Sequence, residues 1–204
     1  MRSEGEARTK FTKFRGWKMP TFTIIKIKWL EACETLLLNV YVPTNRTMQK
    51  PFWEGVKTMR REKWISHLEI ILRDFNVTED KIDRVPAWLD NKSATEALRK
   101  IHLNWEIQDA WRHMHPNDQS FTYWAKSGQQ QIKSRLNQIY IARHIQQYTF
   151  DWKTEATSVP TDHWLVQMKY ALKDAPHTGK GHWTWPLMLI EDPKTIEKIT
   201  WRGI

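Results

Sequence analysis

Between Thr23 and Trp29 apolar residues alternate with Lys26 and Lys28, the two-residue period of a strand with one buried face. Leu36 to Val42 is a nearly continuous apolar run interrupted by Asn39, which reads as a second, more fully buried strand. Pro51 followed by Phe52, Val56 and Met59 has helical spacing with proline in the first turn, and predicts a helix running to about Trp64. Leu68 to Leu72 is a short strand ending near Asp74. Ser93-Ala94-Thr95-Glu96 has the form of a capping box ahead of Leu98 and Ile101, and predicts a second helix. Phe121 to Trp124, Leu136 to Ile141, Tyr148 to Thr154 and Trp164 to Tyr170 are rich in aromatic and β-branched residues, as strands are. Strands and helices are interspersed without strict alternation, which favours an α+β sheet sandwich covered by helices over a doubly wound parallel sheet. The texture changes at Asp174 to Gly181, where a Pro/Gly/His/Lys-bearing stretch predicts a boundary, with residues 174–204 linker-like beyond it.

A chain of 204 residues with 40% hydrophobic and 27% charged residues fits one globular domain with its own core. Cys33 is the only cysteine, which excludes both a disulfide scaffold and a cysteine-rich zinc site. The first residues include Arg2, Glu4, Glu6 and Arg8 and lack the apolar stretch of a secretory signal. No segment approaches the roughly 18 apolar residues of a membrane span. An intracellular protein, nuclear or cytoplasmic, with no membrane partner is expected. The net charge of +9 draws such a chain toward polyanions. Thirteen tryptophans could supply faces for base stacking, although Trp53, Trp64, Trp105 and Trp164 fall in apolar patterns where burial explains them. Lys57, Arg60, Arg61 and Lys63 form a basic run whose ordinary reading is a solvated helix face.

Three predicted strands stop or pause at small polar residues: Asn39, Asp74 with Asn76, and Asp162-His163 just before Trp164. Phosphodiester hydrolysis needs oxygen ligands for a divalent metal, a base or orienting acid for water, and donors for the developing charge. Asp, Asn and His side chains supply all three if the strand ends converge. Taken singly, each is more readily a turn former or a satisfied buried amide than a site residue.

Five blocks in order carry a resemblance: Asn39-Val40-Tyr41-Val42-Pro43; Asp74-Phe75-Asn76; Asp109-Ala110-Trp111-Arg112 with Thr122-Tyr123-Trp124; Ser134-Arg135-Leu136-Asn137-Gln138-Ile139-Tyr140; and Thr161-Asp162-His163. Together they resemble the serial motifs of the endonuclease/exonuclease/phosphatase superfamily, in the version found in the apurinic-endonuclease-like nucleases of non-LTR retrotransposons. Gly179-Lys180-Gly181-His182-Trp183 and Leu187 to Asp192 are similar to the segment that joins that nuclease to a reverse transcriptase. The resemblance implies a four-layer α/β/β/α sandwich of two packed mixed sheets over about residues 23–173, with an active site at one rim. It implies Asp74 as the residue that orients or deprotonates water, Asn76 on the scissile phosphate, His163 as donor to a phosphate oxygen, and Asp162 at the metal. Tyr41 would line the phosphate site with Asn39 supporting it, and Asp109 and Asn137 would act from behind, Asn137 fixing the tautomer of His163. Mg²⁺ or Mn²⁺ is the implied cofactor, DNA the substrate, and a reverse transcriptase region or another chain a partner in a longer product.

Departures from the pattern bear on activity. The family's early Asn and metal-binding Glu should precede Asn39, and residues 1–22 hold nothing like them, so an N-terminally truncated fold with weak metal affinity is expected. Arg73 stands where the family has glycine, and Asn137 where it has aspartate. By analogy with the serine-protease triad, the second change would cost roughly 10⁴ in turnover through the wrong histidine tautomer. Metal-dependent DNA cleavage, weakened or lost, is therefore the leading expectation. The alternatives are a non-catalytic basic DNA-binding remnant of a mobile element, or a phosphatase or phosphodiesterase branch of the superfamily.

Overall fold

The computed structural model describes residues 8–12, 22–28, 34–61 and 67–171. Residues 1–7 and 13–21, where the family's early Asn and Glu were expected, Trp29, Cys33, Lys63 and Trp64, the side chains of Arg8–Thr12, Arg60 and Arg61, and the whole stretch 174–204 fall outside the residues so described.

Eleven strands and three α-helices are formed among the described residues. The main sheet contains β1 (Arg8–Thr12), β2 (Phe22–Lys28), β3 (Glu34–Tyr41), β4 (Ile70–Asp74), β6 (Ile107–Asp109) and β9 (Asn137–Ala142). Its order is β1-β2-β3-β4-β9-β6, with β3 and β4 parallel and the remaining pairs antiparallel. A three-stranded sheet joins β5 (Arg84–Val85), β8 (Gln130–Ser134) and β7 (Tyr123–Ser127), and a hairpin joins β10 (Thr149–Glu155) to β11 (Leu165–Tyr170). These two pieces are stitched together just ahead of β11, where Tyr123 and His163 form a bridge and the Trp164 amide donates to the Thr122 carbonyl at 2.8 Å. The three-stranded sheet and the hairpin are thus joined at one isolated antiparallel bridge and together form the second layer, whereas the first layer is a mixed sheet.

Alternation along β3 explains the layering. Leu38 and Val40 are fully buried in one cluster with Phe52, Trp53 and Val56 of α1 (Arg46–Arg61) and Leu98 and Ile101 of α2 (Lys92–Trp105). Half-buried Leu37 and Leu72, with Trp152, Val166 and Met168 of the second sheet, pack against the same core. This is the pattern of sheets packed face to face with helices outside. Trp53 stacks on Phe75 at 5.7 Å and Phe75 meets Tyr140 at 4.7 Å, so aromatic rings bridge helix, loop and sheet.

Two local expectations shift. The first helix starts at Arg46, not at Pro51, because the Asn45 carboxamide accepts the Thr47 amide at 3.0 Å and caps the turn, leaving Pro51 inside the helix. The second starts at Lys92, because Asn91 accepts from the Ser93 amide at 2.9 Å and takes the capping role expected of Ser93. Trp53 and Trp105 are buried as expected, but Trp164 is 39% exposed and packs at a tilt against Trp124, ring centroids 4.4 Å apart. Helix α3 (Ala110–Met114) is short and capped by Asp109.

Candidate active site

Strand register alone brings three of the site residues into a row. Tyr41 is the partner of Asp74 across the parallel β3–β4 pair, and Asp74 is the partner of Asn137 across the antiparallel β4–β9 pair. His163 arrives from the second layer through its bridge to Tyr123, and its Nδ1 lies 3.1 Å from Asn137 Oδ1, a contact that links the two layers at the rim. Tyr41, Asp74, Asn76, Asn137, Asp162 and His163 all line a cleft of about 640 Å³.

Asp74 is nearly buried, and loss of water raises its pKa; the Asn76 hydrogen bonds and the charges of His163 and Arg73 oppose that rise without cancelling it. Asn76 has φ +48°, a left-handed conformation that asparagine tolerates, and the bend lets its backbone amide reach Asp74 Oδ1 at 2.9 Å. Its side-chain amide donates to the Val42 carbonyl at 2.7 Å and to Asp74 Oδ2 at 3.1 Å. Both amide hydrogens are therefore engaged, and Asn76 braces Asp74 instead of presenting a free donor. Gln49 of α1, almost fully buried, donates to the carbonyls of Asn76 and Pro43 at 2.9 and 3.1 Å and locks the bend in place.

Asn137 is fixed at both ends. Its backbone amide and that of Leu136 donate to buried Thr122 Oγ1, at 2.8 and 2.9 Å, and its side-chain amide donates to the Trp164 carbonyl at 2.9 Å. The carboxamide oxygen is thereby turned toward His163. An oxygen only accepts, so Nδ1 carries the hydrogen and Nε2 is left for a ligand. Held by the Trp164 carbonyl, the amide turns its oxygen to His163 as a carboxylate would, and what Asn137 lacks is the negative charge.

Asp162 is well exposed, with His163 Nε2 at 4.0 Å as its ion-pair neighbour. Asn39 lies two residues below Tyr41 on the same strand face, outside the cleft lining, with Oδ1 buried and without a hydrogen-bond partner among the described residues. Asp109 is also outside the lining. It caps α3 through the Arg112 amide at 3.0 Å and forms a close ion pair with Arg135, which also holds Asp83 in a two-pronged contact at 2.7 and 3.0 Å. Arg135 stands directly before Leu136-Asn137, so this buried cluster steadies the segment that carries Asn137.

No family model matches the chain. A Xenopus laevis protein described as the "Transposon TX1 uncharacterized 149 kDa protein" is 30% identical over 171 residues, 82% of this chain but 13% of that protein. The endonuclease domain of TRAS1, a telomere-specific non-LTR retrotransposon, superposes with a TM-score of 0.57 at 15% identity, over 74% of this chain and 64% of that one. A 3'-5' exonuclease from Neisseria meningitidis gives 0.61 at 15% identity over 81% and 72%, and an AP endonuclease from Archaeoglobus fulgidus 0.57 at 16% over 73% and 65%. The chain has the endonuclease/exonuclease/phosphatase fold. The likeness in sequence is to a transposon protein, and the likeness in fold is to nucleases that include a retrotransposon endonuclease domain. The chain spans about two thirds of the TRAS1 domain and a small part of the transposon protein.

Several cleft residues of this endonuclease/exonuclease/phosphatase fold were not singled out by sequence. Arg46, Gln49, Arg84, Asp90 and Tyr123 line the cleft, and Thr122 sits behind it. Tyr123 and Thr122 lie in a motif block, which was the available signal. Gln49 sits in an ordinary helical pattern and carries none. Arg84 is committed to a close ion pair with Asp90 and to Ser134 Oγ at 2.9 Å. No helix among the described residues is long and apolar enough to cross a membrane.

Proposed function

We propose that the cleft hydrolyses phosphodiester bonds of DNA in the manner of a retrotransposon endonuclease, with slow turnover. The observation that supports this most is the row Tyr41–Asp74–Asn137 at three adjacent strand ends, closed by His163 from the other sheet. In this reading Asp74, its pKa raised by burial and both oxygens held by Asn76, orients the attacking water and accepts its proton. With Nδ1–H held by the Asn137 oxygen, His163 takes a proton on Nε2 and in that doubly protonated form donates Nε2–H to a phosphate oxygen. Tyr41 forms the wall against which the phosphate lies, and Asn76 reaches the phosphate only by releasing Asp74 Oδ2.

The donor set fits a divalent cation in a limited way. Among the described residues no group of three or more His, Cys, Asp or Glu side chains converges. The open carboxylate of Asp162 remains, which suits Mg²⁺ or Mn²⁺ that keeps several waters and takes further ligands from phosphate. When bound, the cation supplies Lewis-acid stabilisation of the phosphate. Slow turnover follows from that sparse set and from the neutral Asn137.

A second reading, DNA binding without turnover, is favoured by Asn137, which holds the histidine but adds no charge to it. A phosphatase branch is less favoured because the 30% identical relative is a transposon protein. That relative's length supports a longer product, with the reverse transcriptase region as partner. The deciding experiment is nicking of supercoiled plasmid in Mg²⁺ and in Mn²⁺, paired with a salt titration of fluorescent DNA. Slow nicking abolished by His163→Ala supports hydrolysis. Salt-dependent binding with no nicking supports the second reading, and no binding at low salt refutes both.

A further inference from the structure

Arg73 occupies a backbone conformation, φ +108°, that glycine enters freely and residues with a side chain enter only under constraint. The constraint is the sheet itself: Arg73 lies in β4 between Val40 of β3 and Gln138 of β9, paired on both sides. Its guanidinium lies over the Tyr41 ring at 5.4 Å and lines the same cleft as Asp74 and His163. The other cation deep in this cleft, Arg84, is neutralised by Asp90, whereas Arg73 forms no ion pair among the described residues.

We propose that Arg73 is a phosphate-binding residue, receiving the backbone phosphate of a nucleic-acid strand beside the one held at Asp74 and His163. Glycine would satisfy the same backbone without strain, so the side chain is what the strained position provides. A guanidinium stacked on an aromatic face has its fork pre-oriented, and planar two-pronged recognition of phosphate is what arginine does better than lysine. The exposed side of the cleft adds Arg46 to the same field. The proposal rests on the DNA reading above and names the group that holds the strand.

The test uses the full chain and a fluorescein-labelled single-stranded 12-mer, with affinity read by anisotropy across a series of salt concentrations. Arg73→Gly is expected to melt at a higher temperature than the parent while binding about tenfold more weakly. It should also lower the slope of log affinity against log salt by about 0.7, the value for one single-strand phosphate contact. Arg73→Lys should keep the slope and lose part of the affinity. Lys100→Gln, exposed on α2 and outside the cleft lining, removes the same charge and should leave the slope nearly unchanged. An Arg73→Gly variant that binds with the parent's slope overturns the proposal, as does an equal loss of slope in Lys100→Gln, which would make the effect one of overall charge. If the parent itself fails to bind at low salt, the DNA reading fails first and Arg73 fails with it; if the parent binds and Arg73→Gly matches it, only Arg73 fails.

Discussion

Replacing Asn137 with aspartate separates two reasons for slow turnover that look alike in sequence. If the amide held His163 in the wrong tautomer, restoring a carboxylate would recover roughly 10⁴ in rate, as the serine-protease comparison suggests. The geometry argues for a smaller gain. Nδ1 already faces an acceptor at 3.1 Å, so only the charge is new. A unit charge pair near 4 Å is worth about 1 kcal/mol in water and about 4 kcal/mol at an effective dielectric constant of 20. The His163 side chain is 27% exposed, which places the gain near the middle, about 2 kcal/mol or roughly 30-fold in rate. The same substitution removes the donor to the Trp164 carbonyl and sets two oxygens where a 2.9 Å hydrogen bond had been. Losing that bond costs about 1–2 kcal/mol of stability. The expected variant is therefore faster and less stable. Single-turnover nicking of plasmid in Mn²⁺ measures the first, and urea unfolding the second. A gain approaching 10⁴, or a variant more stable than its parent, would refute the role given to the Trp164 carbonyl.

Arg135→Ala leaves the buried carboxylates of Asp83 and Asp109 without their shared partner, and is expected to cost about 3–5 kcal/mol in urea unfolding; a loss below about 1 kcal/mol would show that the cluster does not steady the fold. Stability against pH should carry two opposed contributions from the buried pair Glu79 and His102. Burial pushes Glu79 up from 4.5 to about 7, so its contribution is full below pH 4.5 and is lost as pH rises through 7. Burial pushes His102 down from 6.5 to about 3, so its contribution is full above pH 6.5 and is lost as pH falls through 3. Between pH 4.5 and 6.5 the two offset each other in the parent, whereas Glu79→Gln should become more stable with rising pH by up to about 1.4 kcal/mol per unit; a flat profile in that variant would contradict the assignment. In plasmid nicking Mn²⁺ should outperform Mg²⁺, because Mg²⁺ demands near-ideal octahedral oxygen geometry that a sparse carboxylate set does not supply, and an equal rate in both metals would count against that account of the site.

The raised pKa of Glu79 has an independent sign in its hydrogen bonds. The Tyr140 hydroxyl has one hydrogen but faces two acceptors, Glu79 Oε1 at 3.0 Å and the closely apposed Gln138 Oε1. A protonated Glu79 donates to Tyr140 while Tyr140 donates to Gln138, and every oxygen is satisfied.

The sequence by itself determined the strands at β2, β3, β9, β10 and β11 to within a residue or two, because period and composition are local quantities set by which face each side chain must bury. Motif order along the chain also survives without coordinates, and Asp74, Asn76, Asp162 and His163, singled out from that order, line one cleft. What the sequence left open is whatever depends on an atom far away in sequence. Ser93 and Asn91 both had capping side chains, and only the trajectory of the chain selected Asn91. Trp164 lay in an apolar pattern, yet it packs at a tilt against Trp124 across the bridged strands and stays at the surface. Asn137 read as a defect because its neighbour was unknown. The carbonyl that orients it belongs to Trp164, 27 residues away, and reaches it only when the second sheet closes on the first. Arg73 likewise became a candidate ligand for phosphate once the sheet fixed its backbone at positive φ and set its guanidinium over Tyr41. Hydrogen-bond direction and side-chain placement are properties of pairs brought together by folding, and a one-dimensional pattern carries only the types of the partners.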